Sequence, residues 1–324
     1  MKKYIVNTLL LCILAAGHVQ AQDFSKTEML AAINKIAVLL EKNYVSEAKG
    51  KAIADHLLQE QRQGAFDKVS SWKEMDTLTT GILKRFSHDG HLYVRNKPAV
   101  AKSLLTKDTT ADAGDDMFFY GPQAAINNYG FRETRILEDN IGYIRLSEIN
   151  ISRKSLALLN ATMLFVANTR ALIIDLRDNV GGGSDVDAVF ESFFLPPGKT
   201  ILISRNRTGI EEKVKTVNWL TQPAYTKPVY VLINKKTVSA GEEIPFVLQK
   251  NNRAKIIGQT SAGAANMNTF LYVNDALFLS VSIAATTYPG TTDSWEGKGV
   301  EPDYTTAPGE ELERAKKLCE EEKR

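Results

Sequence analysis

Residues 229–250, VYVLINKKTVSAGEEIPFVLQK, contain the turn on which the reading of this chain depends. VYVLIN is a short apolar run rich in β-branched and aromatic residues and reads as a buried strand, while EEIPFVLQK reads as the start of an amphipathic helix. Ser239 falls at the junction. Its spacing to Glu242 is that of a capping box, in which each side chain satisfies an otherwise unpaired N–H of the other residue. A hydroxyl at such a junction can also stand exposed beside convergent backbone N–H groups, so a capping role and a nucleophilic role both fit the local sequence.

Outward from this turn, strand and helix patterns alternate. NIGYIRLSEI (140–149), ALIIDLRDN (171–179), KPVYVLIN (227–234), RAKIIGQT (253–260) and MNTFLYVND (267–275) are predicted strands. The segments 151–169, 184–194 and 242–251 are predicted helices between them. Near-continuous apolar strands such as ALIID and VYVLI need cover on both faces, which predicts an α/β core. EEKVKTVNWLTQPAYTK (211–227) reads as a loop with a short helical piece. Towards the N-terminus, the spacing of Met29, Ile33, Ile36, Leu40, Ile53 and Leu57 predicts a small helical region. The expected organisation is a signal peptide at 1–21, a helical region at 22–105 ending in the segment around His91, a linker at 106–118, the core at 119–307 and a charged helix at 308–324.

The opening MKKYIVNTLLLCILAAGHVQAQD has two lysines, an apolar stretch and small residues before a cut after Ala21. That is the pattern of a secretory signal peptide, which predicts a secreted or periplasmic mature chain without stable membrane insertion. The chain has 324 residues, 40 Lys and Arg against 38 Asp and Glu, and a formal charge of +2, of which Lys2 and Lys3 leave with the signal. Such a balance gives no general attraction for nucleic acid or an anionic membrane surface. Of the two cysteines only Cys319 outlasts signal removal, so no intrachain disulfide is expected. In its charged helix that thiol is expected to be incidental and at least half exposed.

Three further stretches bear on chemistry. DLRDNVGGGSD (175–185) places Gly181, Gly182 and Gly183 after a predicted strand, where backbone N–H groups can face an anion or a developing oxyanion; a flexible turn is the plainer alternative. It is neither a P-loop nor a dinucleotide fingerprint. Asp175, Arg177 and Asp178 can form ion pairs that orient it. A serine nucleophile needs a base, and beyond the signal the chain offers only His56, His88 and His91. His56 reads as a helix-surface residue. His88 and His91 flank a DG turn and leave three readings open: satisfied turn imidazoles, half a metal site, or a general base. No metal site is predicted, because no third ligand stands near them and no H-E-x-x-H occurs. In TTYPGTTDSWEGKGVEPDY (286–304), Glu296 can orient a histidine, bind another site group, or form a turn contact.

Taken together, DGHLYV (89–94), GYIRLSEI (142–149), DLRDNVGGG (175–183), the run from Thr237 to Asn266 and WEGKGVEPD (295–303) resemble the S41 family of serine peptidases, the tail-specific or C-terminal processing proteases. The resemblance is nearest the branch of tricorn-like peptidases and interphotoreceptor-retinoid-binding-protein repeats. It spans roughly Gly81 to Asp303 and implies a crotonase/ClpP-like α/β core of twisted sheet and helices with an N-terminal helical part. It also implies Ser239 as nucleophile and the N–H groups of Gly181 and Ala240 as oxyanion donors. The processing-protease branch has a general-base lysine at the position of Ala264. The tricorn-like branch uses a histidine matched by His91, preceded by a serine where this chain has Gly90. Ser239, His91 and Glu296 are therefore the expected catalytic group, with Glu242 and Asp175 in possible support. No cofactor is expected. The implied substrate is a peptide or unfolded protein, and the interval between 104 and 140 is too short for the PDZ domain of many processing proteases. A catalytically silent binder of peptides or lipid-like ligands is the competing expectation.

Overall fold

The computed structural model describes residues 24–105, 122–184, 186 and 188–321. The expected signal peptide and linker lie outside them. The chain opens with α1 (Lys26–Asn43), α2 (Glu47–Arg62) and α3 (Trp72–Ser87). Each starts on a serine, Ser25, Ser46 or Ser71, whose hydroxyl accepts the N–H of the residue three further on. Their buried stripes include Met29, Ile33, Ile36, Leu40, Ile53, Leu57, Met75 and Ile82. His88 ends α3 in the left-handed region with φ 56°, and β1 (Tyr93–Asn96) follows after a short turn.

The remaining strands build two main sheets. Their order along the chain is β2 (Phe131–Leu137), β3 (Ile141–Leu146), β4 (Ile149–Ile151), β5 (Ala171–Asp175), β6 (Gly182–Ser184), β7 (Thr200–Asn206), β8 (Glu211–Lys215), β9 (Val229–Ile233), β10 (Lys255–Gly258), β11 (Met267–Tyr272), β12 (Leu277–Thr287) and β13 (Tyr304–Thr305). One sheet runs β13-β10-β9-β5-β3-β2 and is parallel except for β2. The other runs β1-β12-β7-β8, with β11 also on β12, and is antiparallel. β4 and β6 form a short parallel pair. The protein is thus an α/β fold with a small N-terminal helical region. That region is tied in through β1: Leu92 and Val94 share one apolar cluster with α1–α3 and with Leu277, Leu279 and Val281 of β12.

Strands β5 and β9 are adjacent and parallel, with Asp175 opposite Leu232. The glycine turn leaves the carboxyl end of β5, and the turn to Ser239 leaves that of β9. Two chain segments more than fifty residues apart are thereby delivered to the same edge, where open α/β sheets place their ligand crevices.

The structure corrects three expectations. Segment 184–194 is no helix among its described residues; a 3-10 turn at Glu191–Phe193 is its only helical piece. Ala188, Val189, Phe190, Phe193 and Phe194 are all buried, so the run is packed from every side and has no helical apolar face. Residues 211–215 form strand β8, not a loop. EEKVK is an edge strand, where charge serves to block further pairing and hides the alternation that marks a strand. Cys319 is fully buried, on the inner face of the terminal helix Glu311–Glu321 against Ile173, Tyr230 and Ile257.

Candidate active site

Ser239 sits at φ 57°, ψ −126°, a conformation that costs a non-glycine residue roughly 1–3 kcal/mol and persists only where its surroundings over-determine it. The determinants are visible. Val238 N–H donates to the Asn179 carbonyl at 3.1 Å, and Thr237 Oγ1 donates to the Leu176 carbonyl at 2.8 Å, binding the serine turn to the glycine turn. Ser239 N–H donates to Glu242 Oε2 at 2.8 Å. Glu242 N–H goes to the Ser239 carbonyl at 2.7 Å. The Ser239 hydroxyl meets His91 Nε2 at 2.8 Å.

His91 arrives from the N-terminal region, 148 residues from Ser239 in sequence. Its N–H donates to Asp89 Oδ1 at 2.8 Å, and its carbonyl accepts from Ser280 Oγ of β12 at 2.6 Å. Burial pushes the imidazole below its usual 6.5; the Asp89 carboxylate opposes that shift and the Lys84 ammonium adds to it. The Asn266 carbonyl also favours the charged ring, without closing a well-formed hydrogen bond to Nδ1, which is buried and unpartnered. A neutral ring at pH 7 has a lone pair to offer the serine proton. His56 lies on α2, stacked on Phe86 and 3.7 Å from Glu60. His88 is an exposed helix end.

The four carboxylates around the site divide the work unequally. Glu242 is fully buried and accepts four hydrogen bonds: Ser239 N–H, Ser261 Oγ at 2.5 Å, Gly263 N–H at 2.6 Å and Ala264 N–H at 2.9 Å. Glu296 accepts the N–H groups of Ala265 at 2.7 Å and Asn266 at 2.9 Å, shaping the next stretch of the same loop. Its hydrogen bonds are to that backbone and not to His91. Burial and the Asp89 charge push its carboxyl up to about 7. Asp175 accepts from Tyr143 Oη at 2.6 Å and from Arg177, whose guanidinium also reaches Glu311 at 2.8 Å. It pins the arginine to the terminal helix and makes no contact with Ser239 or His91. Asp89, 2 % exposed, is the carboxylate whose charge acts on the imidazole, and it is itself held by Tyr44 Oη at 2.9 Å. The sequence reading gave Asp89 a turn role and Tyr44 none; only the DG-turn position two residues before His91 pointed to the first.

The expected oxyanion donors differ in availability. Ala240 opens the helix Ala240–Lys250, and a first helical N–H has no intrahelical acceptor. Gly181, at φ 80°, lies so close to the serine turn that a Cβ there would stand 2.9 Å from Ser239 Cβ. Its N–H donates to Asn179 Oδ1 at 2.9 Å, so in this structure that hydrogen is already held. Asn179 is buried and also donates to the Leu146 carbonyl at 3.0 Å.

The two positions where catalytic side chains of the resembling families are absent face each other. A Cβ on Gly90 would come within 2.8 Å of Ala264 Cβ, so the methyl of Ala264 fills the space a serine at 90 would enter. Lys236 pairs with Asp178 at 3.3 Å, away from the serine. A cavity of about 480 Å³ opens on Ser239 and His91 and runs between β6, β7 and the Ala240 helix.

An α/β fold with a serine on a strained strand-to-helix turn and a half-buried histidine at hydrogen-bond distance is the framework of a serine hydrolase. Residues 140–306 match peptidase family S41, and residues 24–118 match the N-terminal domain of that family in eukaryotic interphotoreceptor retinoid-binding protein. The chain belongs to peptidase family S41. It is 31% identical over 170 residues to carboxyl-terminal-processing peptidase 1 of Arabidopsis thaliana chloroplasts, covering 52% of this chain and 34% of that protein. It is 25% identical over 220 residues to the carboxyl-terminal-processing protease of Picosynechococcus, covering 68% and 51%. The chain thus spans about a third to a half of the length of these curated relatives. Among solved structures, a lipoprotein from Streptococcus agalactiae superimposes with a TM-score of 0.60 at 15% identity over 98% of this chain and 100% of that one. The tricorn protease superimposes with a TM-score of 0.57 at 14% identity over 92% and 37%. These two likenesses concern the fold.

Proposed function

We propose that this protein is a serine endopeptidase that cleaves peptides or unfolded proteins through an acyl-enzyme on Ser239, and that it acts outside the cytoplasm or in the periplasm. The observation that carries the reading is the 2.8 Å approach of His91 Nε2 to Ser239 Oγ, made by residues from separate parts of the chain. In the first step His91 Nε2 takes the hydroxyl proton as Oγ bonds to the scissile carbonyl carbon. The carbonyl oxygen becomes the oxyanion, facing the N–H of Ala240 and that of Gly181 once Asn179 yields it. As the tetrahedral species collapses the C–N bond breaks, and His91 passes its proton to the leaving amine. A water that loses a proton to His91 then attacks the acyl carbon, and Ser239 leaves with that proton. Glu242 acts by positioning the serine turn and Glu296 by positioning the loop beside the imidazole.

A silent ligand-binding protein is the second reading, and the specific observation in its favour is the engaged Gly181 N–H. A fluorophosphonate probe separates the two. The expected result is labelling of Ser239 that is lost in Ser239→Ala and in His91→Ala. An unlabelled wild-type protein that also cleaves no member of a broad peptide library overturns the peptidase reading.

A further inference from the structure

Two glutamates that the mechanism above does not use line the cavity beside the nucleophile: Glu191 and Glu243. Glu191 comes from the 3-10 turn and is only 5 % exposed. Glu243, half-buried, lies one helical turn beyond Ser239 on the same face of the helix and lines the same cavity. Neither forms an ion pair with Lys, Arg or His among the described residues, whereas Asp175, Glu311 and Asp76 each have a cationic partner and the buried Glu242 and Asp89 accept hydrogen bonds from the chain. Burial pushes both up, Glu191 to about 7 and Glu243 to about 8, and the negative charge of Glu191 adds to the shift on Glu243.

Buried acidic side chains without a counter-charge are costly, and an apolar pair of similar volume would pack the same space more stably. Their surroundings show what would offset that cost. The same cavity is lined by the apolar side chains of Phe190, Ile244, Leu202 and Val214, together with polar groups such as Ser204, Asn268 and Thr286. A cavity that joins apolar wall to two carboxyl groups complements a side chain with an aliphatic stem and a cationic tip. We propose that Glu191 and Glu243 form the specificity pocket for a lysine or arginine side chain on the residue whose carbonyl is attacked by Ser239. The proposal rests on the peptidase reading for its register, but the recognition of a cationic side chain does not depend on turnover.

Two measurements test it, using acetylated, amidated peptides that differ only in lysine or norleucine at that residue, so that no free terminal amine competes. In turnover, the lysine peptide is expected to have a kcat/KM at least tenfold above the norleucine peptide, and that ratio is expected to fall tenfold or more in the Glu191→Gln/Glu243→Gln double variant. Equal rates in the wild type, or a ratio that survives the double substitution, overturn the proposal. In binding, the Ser239→Ala protein is titrated with Ac-Ala-Ala-Lys-amide and with its norleucine counterpart. The lysine peptide should bind at least tenfold tighter, and the advantage should vanish when both glutamines are added. Equal binding overturns the proposal even if no peptide is cleaved, whereas a lysine advantage in a protein that cleaves nothing sustains the pocket and removes only the peptidase reading.

Discussion

The serine turn and the histidine segment meet at one hydrogen bond but are held in contrasting ways. Around Ser239, the Glu242 carboxylate collects four donors, from the turn itself and from the loop at 261–264. The His91 ring has one close partner, Ser239 itself, and its Nδ1 is buried without any. Ser239 is therefore positioned by a dense local network inside the core. His91 is positioned from behind, through its backbone, by Asp89, Ser280 and the packing of Leu92 and Val94. The hydrogen-bond partners of the serine turn other than His91 thus come from the core, while the Ser239–His91 contact requires the helical region to be docked.

The largest effects should come from breaking the pair. Ser239→Ala and His91→Ala are each expected to lower kcat by roughly 10⁴-fold or more, and the double variant should lose little beyond either single one, since the two groups act as a unit. Steady-state kinetics on a cleaved peptide measure this; additive losses would show that they act separately. Next comes Glu242→Ala, which leaves the N–H groups of Ser239, Gly263 and Ala264 without their acceptor. At about 1–3 kcal/mol for each unsatisfied buried group, a stability loss of about 3 kcal/mol or more is expected, with kcat falling alongside. Denaturant unfolding reads it, and a midpoint equal to that of the wild type would mean that the turn is held by other contacts.

Asp89→Asn probes the histidine side more gently. The Asp89 charge favours imidazolium, so removing it moves the already lowered His91 pKa further down. The acid limb of the kcat/KM profile, below pH 6.5 in the wild type, should shift to lower pH. A shift to higher pH would contradict the placement of that charge. Glu296→Gln is expected to act least on the reaction itself and to show instead in the pH dependence of stability. The Glu296 carboxyl titrates near 7 in the fold against 4.5 ordinarily, so the folded protein binds the proton more tightly than the unfolded chain. Its contribution is fully present below about pH 4.5 and is lost as pH rises through about 7. The glutamine variant should therefore lose less stability than the wild type between those values, which thermal melts across that range can record.

Much of the fold was legible because its signals are local. Strand β9, the turn and the following helix can be read from one run of apolar and capping residues, and the adjacent glycine turn from its composition. Segments whose environment overrides local pattern were not legible in the same way: 188–194, where apolar residues are buried on successive positions, and the charged edge strand β8. The sequence also placed Ser239 at the junction and offered His91 as its base. What it could not contain was the distance between them, because residues 148 apart meet only through the docking of β1 on β12. Nor could it assign the acids. Glu242, Glu296, Asp175 and Asp89 are the same chemistry in sequence, and only the tertiary structure makes the first a cradle for the serine turn, the second a brace for a loop, the third an anchor for Arg177 and the fourth the charge behind the imidazole. The capping motif at Ser239 and Glu242 illustrates the division most directly: its spacing is written in the chain and the Ser239 N–H does donate to Glu242, but the hydroxyl meets His91, which only the docking of the N-terminal region brings there.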